Sequence, residues 1–234
     1  MSKTKPLCLI TGVGPGTGSA IARRFSEEDY RVALNVRNED RLARLVGELP
    51  DAFAIPADLS SPEGRTVLIE AILGEGVPAV VINNAVGGTF GDFLSIDPAD
   101  LQHNFKVNVE AVLDLARALI PRMIEAGGGS FLATGNTSAY RGKPNFAGFA
   151  PTKAAQRILL ESIARSVGSE GVHVGYVAID AVIDLEWTRE MAPDKPDDFF
   201  CQPADIAEEV FRLSQQPRSA WSFDSVIRPF GEEW

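Results

Sequence analysis

Apolar runs alternate with segments of helical period along almost the whole chain, and that alternation constrains the fold more than any other feature. Leu7–Ile10, Val32–Val36, Ala52–Pro56, Ala79–Ile82, Ser130–Thr134 and Val172–Ile179 read as strands, and Asp224–Arg228 as a closing strand. Thr17–Ser26, Glu39–Glu48, Pro62–Leu73, Ala150–Val167 and Pro203–Gln215 read as helices, and Pro98–Ala126 is long enough for two in tandem. Strands that alternate with helices predict a parallel, doubly wound α/β sheet in three α/β/α layers. Ala79-Val80-Val81-Ile82 lacks polar alternation, as expected of a sheet covered on both faces. The 234 residues suit one core, so residues 1–234 are expected to form a single domain. In such a fold, ligands bind beyond the carboxyl ends of the strands.

Bulk properties narrow the function by exclusion. A formal net charge of −10 argues against nucleic-acid and anionic-membrane partners, which need basic patches. No apolar run reaches the roughly 18 residues of a membrane span. The apolar stretch after Met1–Pro6 is too short for a signal-peptide core and reads as a first strand. Cys8 and Cys201 form no disulfide framework, and neither they nor His103 and His173 have metal-ligand spacing. A reducing cytoplasm is the expected compartment.

The segment Thr11-Gly12-Val13-Gly14-Pro15-Gly16-Thr17-Gly18 lies between a strand and a helix. Its glycines allow a tight turn and close backbone approach to a pyrophosphate at a helix N-terminus. Further along come Asp58-Leu59, Asn83-Asn84-Ala85-Val86, Lys106-Val107-Asn108-Val109 and Phe149-Ala150-Pro151-Thr152-Lys153. In order and spacing, from about Pro6 to Ile183, these resemble the signature segments of the short-chain dehydrogenase/reductase family. The resemblance implies a Rossmann-like fold and a nicotinamide dinucleotide. Its contacts would come from Gly12, Gly14, Pro15, Gly16, Thr17, Gly18, Asp58, Leu59, Asn84, Ala85, Lys153 and Ile183. Enzymes that use NAD tend to carry an acid at the end of the second strand. This chain has Val36 there, followed by Arg37 and Asn38. A guanidinium can grip a 2′-phosphate, so NADP(H) is expected ahead of NAD(H).

The catalytic set departs from the family. Its members use a tyrosine to move the proton, a lysine to lower the tyrosine pKa and hold the ribose, a serine to hold the substrate oxygen, and an asparagine to support a water. Here Lys153 and Asn108 remain, but Phe149 stands at the tyrosine position and is inert as an acid. Thirteen residues earlier, Asn136 stands at the serine position. Ile179-Asp180-Ala181 replaces the usual Pro-Gly, and Leu185 a common threonine. The chain looks like a divergent branch of that family without the tyrosine.

Two readings follow. One is an NADP(H)-linked oxidoreductase of a small carbonyl or alcohol with an atypical proton donor. The other is a catalytically impaired dinucleotide-binding subunit or sensor. Tyr140, the nearest tyrosine, and Asp180 and Asp184 are candidate replacement acids set against structural readings, surface packing for the ring and capping or solvated loop roles for the carboxylates, while His103 and His173 read as structural. The resemblance also implies a homodimer or homotetramer, built on the helices near Val107–Ala126 and Ala150–Val167. Ile158, Leu159, Ile163 and Val167 would supply the surplus apolar surface.

Overall fold

A computed structural model of the chain describes residues 5–37 and 40–231. Among these, seven strands form one parallel sheet in the order β3-β2-β1-β4-β5-β6-β9. They are β1 (Leu7–Thr11), β2 (Arg31–Val36), β3 (Phe53–Pro56), β4 (Val80–Asn83), β5 (Gly129–Asn136), β6 (Val172–Ile179) and β9 (Asp224–Ile227). The order reverses at β1, where β2 pairs on one side and β4 on the other. This switch point opens the crevice in which such sheets take ligands.

Helices α1 (Thr17–Glu27), α2 (Asp40–Glu48) and α8 (Pro203–Ser214) belong to one face. There Ile21, Phe25, Ile206 and Val210 pack with Cys8, Ile10 and Leu34 of the sheet. Helices α3 (Pro62–Glu75), α4 (Pro98–Phe105), α5 (Ala111–Glu125) and α6 (Ala150–Val167) lie towards the other. There Leu68, Leu115, Leu119 and Leu160 pack with Leu9, Val81, Phe131 and Tyr176. Both faces are covered by apolar side chains, which is why the central strands carry no polar alternation.

Local chemistry sets the helix starts. The Ser61 hydroxyl accepts from the Gly64 N–H at 3.0 Å and caps α3, with Pro62 in its first turn. The Asp97 carboxylate caps α4 through Ala99 N–H. Between α4 and α5 the backbone widens into one π turn, Lys106–Glu110, without a break in the chain path. π turns of this kind mark functional sites in many folds.

The sequence leaves the stretch after β6 as a loop. It contains a two-residue strand pair, β7 (Val182–Ile183) with β8 (Phe200–Cys201), and the short helix α7 (Glu186–Met191). Arg189 binds the Asp184 carboxylate through two nitrogens, at 2.6 and 2.9 Å, and Gln202 donates to it at 2.8 Å. This polar knot folds the segment back over the glycine turn. No helix among the described residues is long and apolar enough to cross a membrane.

Candidate functional site

The glycine turn is fixed from below. Thr11 Oγ1 donates to Asn83 Oδ1 at 3.0 Å, and Asn84 Nδ2 donates to the Gly12 carbonyl at 2.8 Å. Gly12 has φ +66°, and a Cβ there would collide with Ala85. A Cβ at Gly18 would meet the Gly12 carbonyl oxygen. The turn therefore lies against the end of β4, and the first turn of α1 opens on a cavity without any side-chain cap. That cavity measures about 390 Å³.

The expected dinucleotide residues Gly12, Gly14, Pro15, Gly16, Thr17, Gly18, Arg37, Asp58, Leu59, Asn84, Ala85 and Ile183 all line it. Asn38 lies outside the described residues. Arg37 is exposed. The strand end is less open to a second anion than the sequence suggests, because Asp58 at the foot of β3 lies within electrostatic reach of Arg37. Burial opposes ionisation of Asp58. The Ser60 N–H, with Arg37 and His103 nearby, outweighs that and holds its carboxyl below the usual range. His103, read as structural from its helical position, lines the cavity, as do Leu185 and Trp187. No signal short of the tertiary fold could have brought α4 and α7 to this crevice.

A second, inner cavity of about 180 Å³ continues from the first, sharing Thr17, Asn84, Val86 and Ile183 with it. Asn136, Phe149 and Lys153 meet there. Lys153 is only 2% exposed. Its Nζ donates to the Thr134 carbonyl at 3.3 Å and to Gln156 Oε1. Burial brings its pKa down to about 7. It is the one ionisable side chain that lines this cavity among the described residues. Gln156, buried one turn further along α6, was not foreseen; a polar residue three after the lysine on an inward face is its only sequence trace.

Asn136 is held from two sides. Its side chain accepts from Ser138 N–H at 3.1 Å. Behind it, the buried Tyr176 hydroxyl contacts the Asn136 backbone, accepting from its N–H at 3.3 Å. A Cβ at Gly135 would overlap that phenol, so the glycine makes room for it. Asn108 sits in the π turn, fully buried, and lines neither cavity. It exchanges bonds of 2.9 Å with both backbone groups of Gly87 and donates to Thr152 Oγ1 at 2.8 Å. In this arrangement it clamps the loop after β4 to the start of α6.

The replacement acids are engaged elsewhere. The Tyr140 hydroxyl donates to Asp224 at 2.9 Å, outside the inner cavity. Burial, and then the Asp224 carboxylate, push its pKa up to about 12. Asp180 takes Thr137 Oγ1, Arg141 and Arg228. Arg189, followed by Gln202, holds Asp184 down to about 2. His173 stacks on Trp221 at 4.9 Å and is bonded to the Ser222 carbonyl, a structural role. No cluster among the described residues could hold a metal ion.

A family model described as short chain dehydrogenase matches residues 6–194. The chain belongs to the short-chain dehydrogenase family. It is 28% identical to a 7alpha-hydroxysteroid dehydrogenase of Escherichia coli K12 over 236 aligned residues, covering 95% of this chain and 92% of the relative. Among solved structures, it is 25% identical to a metagenomic short-chain oxidoreductase in complex with NADP, with a TM-score of 0.84 over 98% of this chain and 99% of the other. An alcohol dehydrogenase of Thermococcus sibiricus, complexed with 5-hydroxy-NADP, gives a TM-score of 0.87 at 25% identity, with the same coverage. The short-chain dehydrogenase fold is thus matched end to end, while Phe149 and Asn136 stand where the family resemblance implies a tyrosine and a serine.

Proposed function

We propose that the chain binds NADP(H) in the crevice and acts as an oxidoreductase on a small carbonyl or alcohol, with Lys153 as the proton-bearing group in place of a tyrosine. The observation that carries this reading is the inner cavity, where Lys153 is the ionisable side chain among groups that are otherwise apolar or neutral. The crevice fits a dinucleotide on its own evidence. Its glycines leave the backbone bare, the first turn of α1 is uncapped, and the buried Thr17 hydroxyl has no partner. The complexes of structural neighbours with NADP support the same choice.

Bound NADPH would supply a hydride. The chain would supply the rest. Gly12, Gly16 and Gly18 admit the diphosphate, and Asp58 and Leu59 flank the adenine end. Asn136 offers an N–H to the substrate oxygen, and Lys153 exchanges a proton at Nζ near its own pKa, where a general acid is most effective. Asn108 keeps Phe149 and Lys153 in register through Thr152. At saturating NADPH, Lys153→Met should therefore abolish reduction at pH 7; a variant that binds NADPH and still reduces would place the proton on another group. The second reading, a binding subunit or sensor that has lost turnover, draws on the joint replacement at 149 and 136. It would be favoured by tight NADPH binding with no reduction of any carbonyl.

Arg37 is expected to set the dinucleotide preference. The parent should bind NADPH more tightly than NADH, and Arg37→Ala should lose about tenfold for NADPH alone, the scale of one charge-assisted contact. Dissociation constants from nucleotide fluorescence decide the matter; equal affinities in the parent would refute the assignment.

Assembly as a homodimer or homotetramer belongs to the same proposal. Its apolar basis is narrower than the sequence suggests, since Leu159, Ile163 and Val167 pack on the chain's own core. Ile158 is left 56% exposed on α6, with Leu113 exposed on α5. Sedimentation at micromolar concentration should show a species of at least twice 25.2 kDa. Ile158→Glu should shift it towards monomer.

A further inference from the structure

Phe149 is part of a wall. Its ring lies 4.8 Å from Phe90 and 6.3 Å from Phe146, and Phe90 and Phe146 are 5.1 Å apart. On one side of the wall is the inner cavity with Lys153. On the other, lined by Phe146, is an open cavity of about 690 Å³ that no step of the proposed reaction uses.

The wall is held in place before any ligand arrives. Gly91 and Phe146 form a parallel bridge, with Gly91 N–H donating to Asn145 at 2.9 Å and Ala147 N–H to Gly91 at 3.1 Å. Asn104, fully buried, ties the same two loops by donating to the Gly148 and Thr89 carbonyls. A surface ordered in advance loses little entropy on binding.

The lining of the outer cavity is of two kinds. Phe93, Tyr140 and Phe146 supply aromatic surface, and Phe93 is 81% exposed, an unusual state for a ring with nothing to cover it. Arg141 and Lys143 supply positive charge against one carboxylate, Asp92. That carboxylate is occupied by the Leu94 and Ser95 N–H groups, which hold it ionised and turned to the backbone. Arg141 reaches Asp180 through one nitrogen at 3.3 Å, and Asp180 is shared with Arg228 and Thr137. The remaining guanidinium N–H groups of Arg141 and the Lys143 ammonium have no carboxylate partner among the described residues. A cationic concavity stands out on a chain of net charge −10.

We infer that the outer cavity binds the acid end of an aromatic carboxylate, its ring against Phe93 and Phe146 and its anion on Arg141 and Lys143. The inference concerns binding alone and does not depend on the oxidoreductase reading. The aromatic faces favour a flat ring over a saturated one, and a guanidinium favours a planar carboxylate.

Three probes separate these parts: 4-acetylbenzoate, its uncharged counterpart 4-methylacetophenone, and the saturated acid cyclohexanecarboxylate. Binding is measured by calorimetry or saturation-transfer NMR, with and without NADPH. The parent should bind 4-acetylbenzoate at least about tenfold more tightly than either of the others. Arg141→Ala with Lys143→Ala, both on an exposed loop, should erase the preference for the acid and leave NADPH affinity unchanged. Phe146→Leu should erase the preference for the ring. Equal binding of the three probes, or a double variant that still prefers the acid, would overturn the inference. Selective binding of 4-acetylbenzoate without its reduction by NADPH would uphold the site and show that its occupant is not the substrate of the inner cavity.

Discussion

Replacing Phe149 with tyrosine and Asn136 with serine is expected to raise the reduction of simple ketones by about 10² to 10⁴, the usual contribution of a general acid. Hydride delivery to a carbonyl leaves negative charge on oxygen, and a donor must be in place as that charge develops. In the parent, Phe149 offers none, and Asn136 offers only a neutral N–H, on a side chain whose oxygen already accepts from the Ser138 N–H. Phe149 lines the same small cavity as Lys153, so a phenol hydroxyl at that position would share space with an amine of pKa about 7. The measurement is NADPH oxidation against a panel of ketones, parent and double variant side by side. An unchanged rate with intact NADPH affinity would show that the missing acid is not what limits the protein, and would point to the altered loop around Ile179–Leu185.

A second large effect is expected from Lys153 in the absence of any ligand. Burial lowers its pKa from 10.5 to about 7. Between those values the unfolded chain holds a proton that the folded chain has lost, so stability rises as the pH climbs from about 7 towards 10.5. Below 7 the full cost of burying the charge is present. Lys153→Met removes this term. Its stability relative to the parent should be about 4 kcal/mol more favourable at pH 7 than at pH 10, from about 1.4 kcal/mol per pKa unit over roughly three units crossed. Loss of the bonds to Thr134 and Gln156 offsets the gain equally at both pH values, so it does not alter the difference. Urea denaturation of the unliganded proteins at the two pH values measures it. A difference that does not change with pH would mean that Lys153 keeps its charge in the fold, and would remove it as the proton-bearing group near neutrality.

The two experiments examine one feature from opposite sides. If Lys153 holds an exchangeable proton near pH 7, the protein has a weak substitute for the phenol, and restoring the phenol should relegate the lysine to a supporting role. The rate profile of the parent should then follow the lysine titration, and that of the Phe149→Tyr, Asn136→Ser variant should not.

The sequence by itself determined the sheet, the glycine turn and the absence of a phenol at position 149. These depend on short-range information. Strand and helix periods alternate within a dozen residues, Gly12 and Gly18 leave a bare backbone for close approach, and a phenylalanine has no ionisable hydrogen wherever it is placed. The helix at Ala150–Val167 and the strand at Val172–Ile179 coincide with their apolar patterns, because the helix packs along one face of the sheet and the strand is covered on both. The junction of α4 and α5 was legible only as length, because its π turn carries the buried Asn108 amide, whose partners Gly87 and Thr152 are distant in the chain. Only the tertiary structure decided what the remaining groups can do. It turned Asn108 away from the cavities, committed Tyr140 to Asp224 and Asp184 to Arg189, and set Gln156 beside Lys153. It also brought His103 and Trp187 to the crevice and made Phe149 one face of a wall between two cavities. Apart from Asp184 with Arg189 and Gln156 with Lys153, which are local, these are pairings between elements far apart in the chain. A residue type states which bonds a group can make, but whether a partner lies within reach depends on how the layers stack.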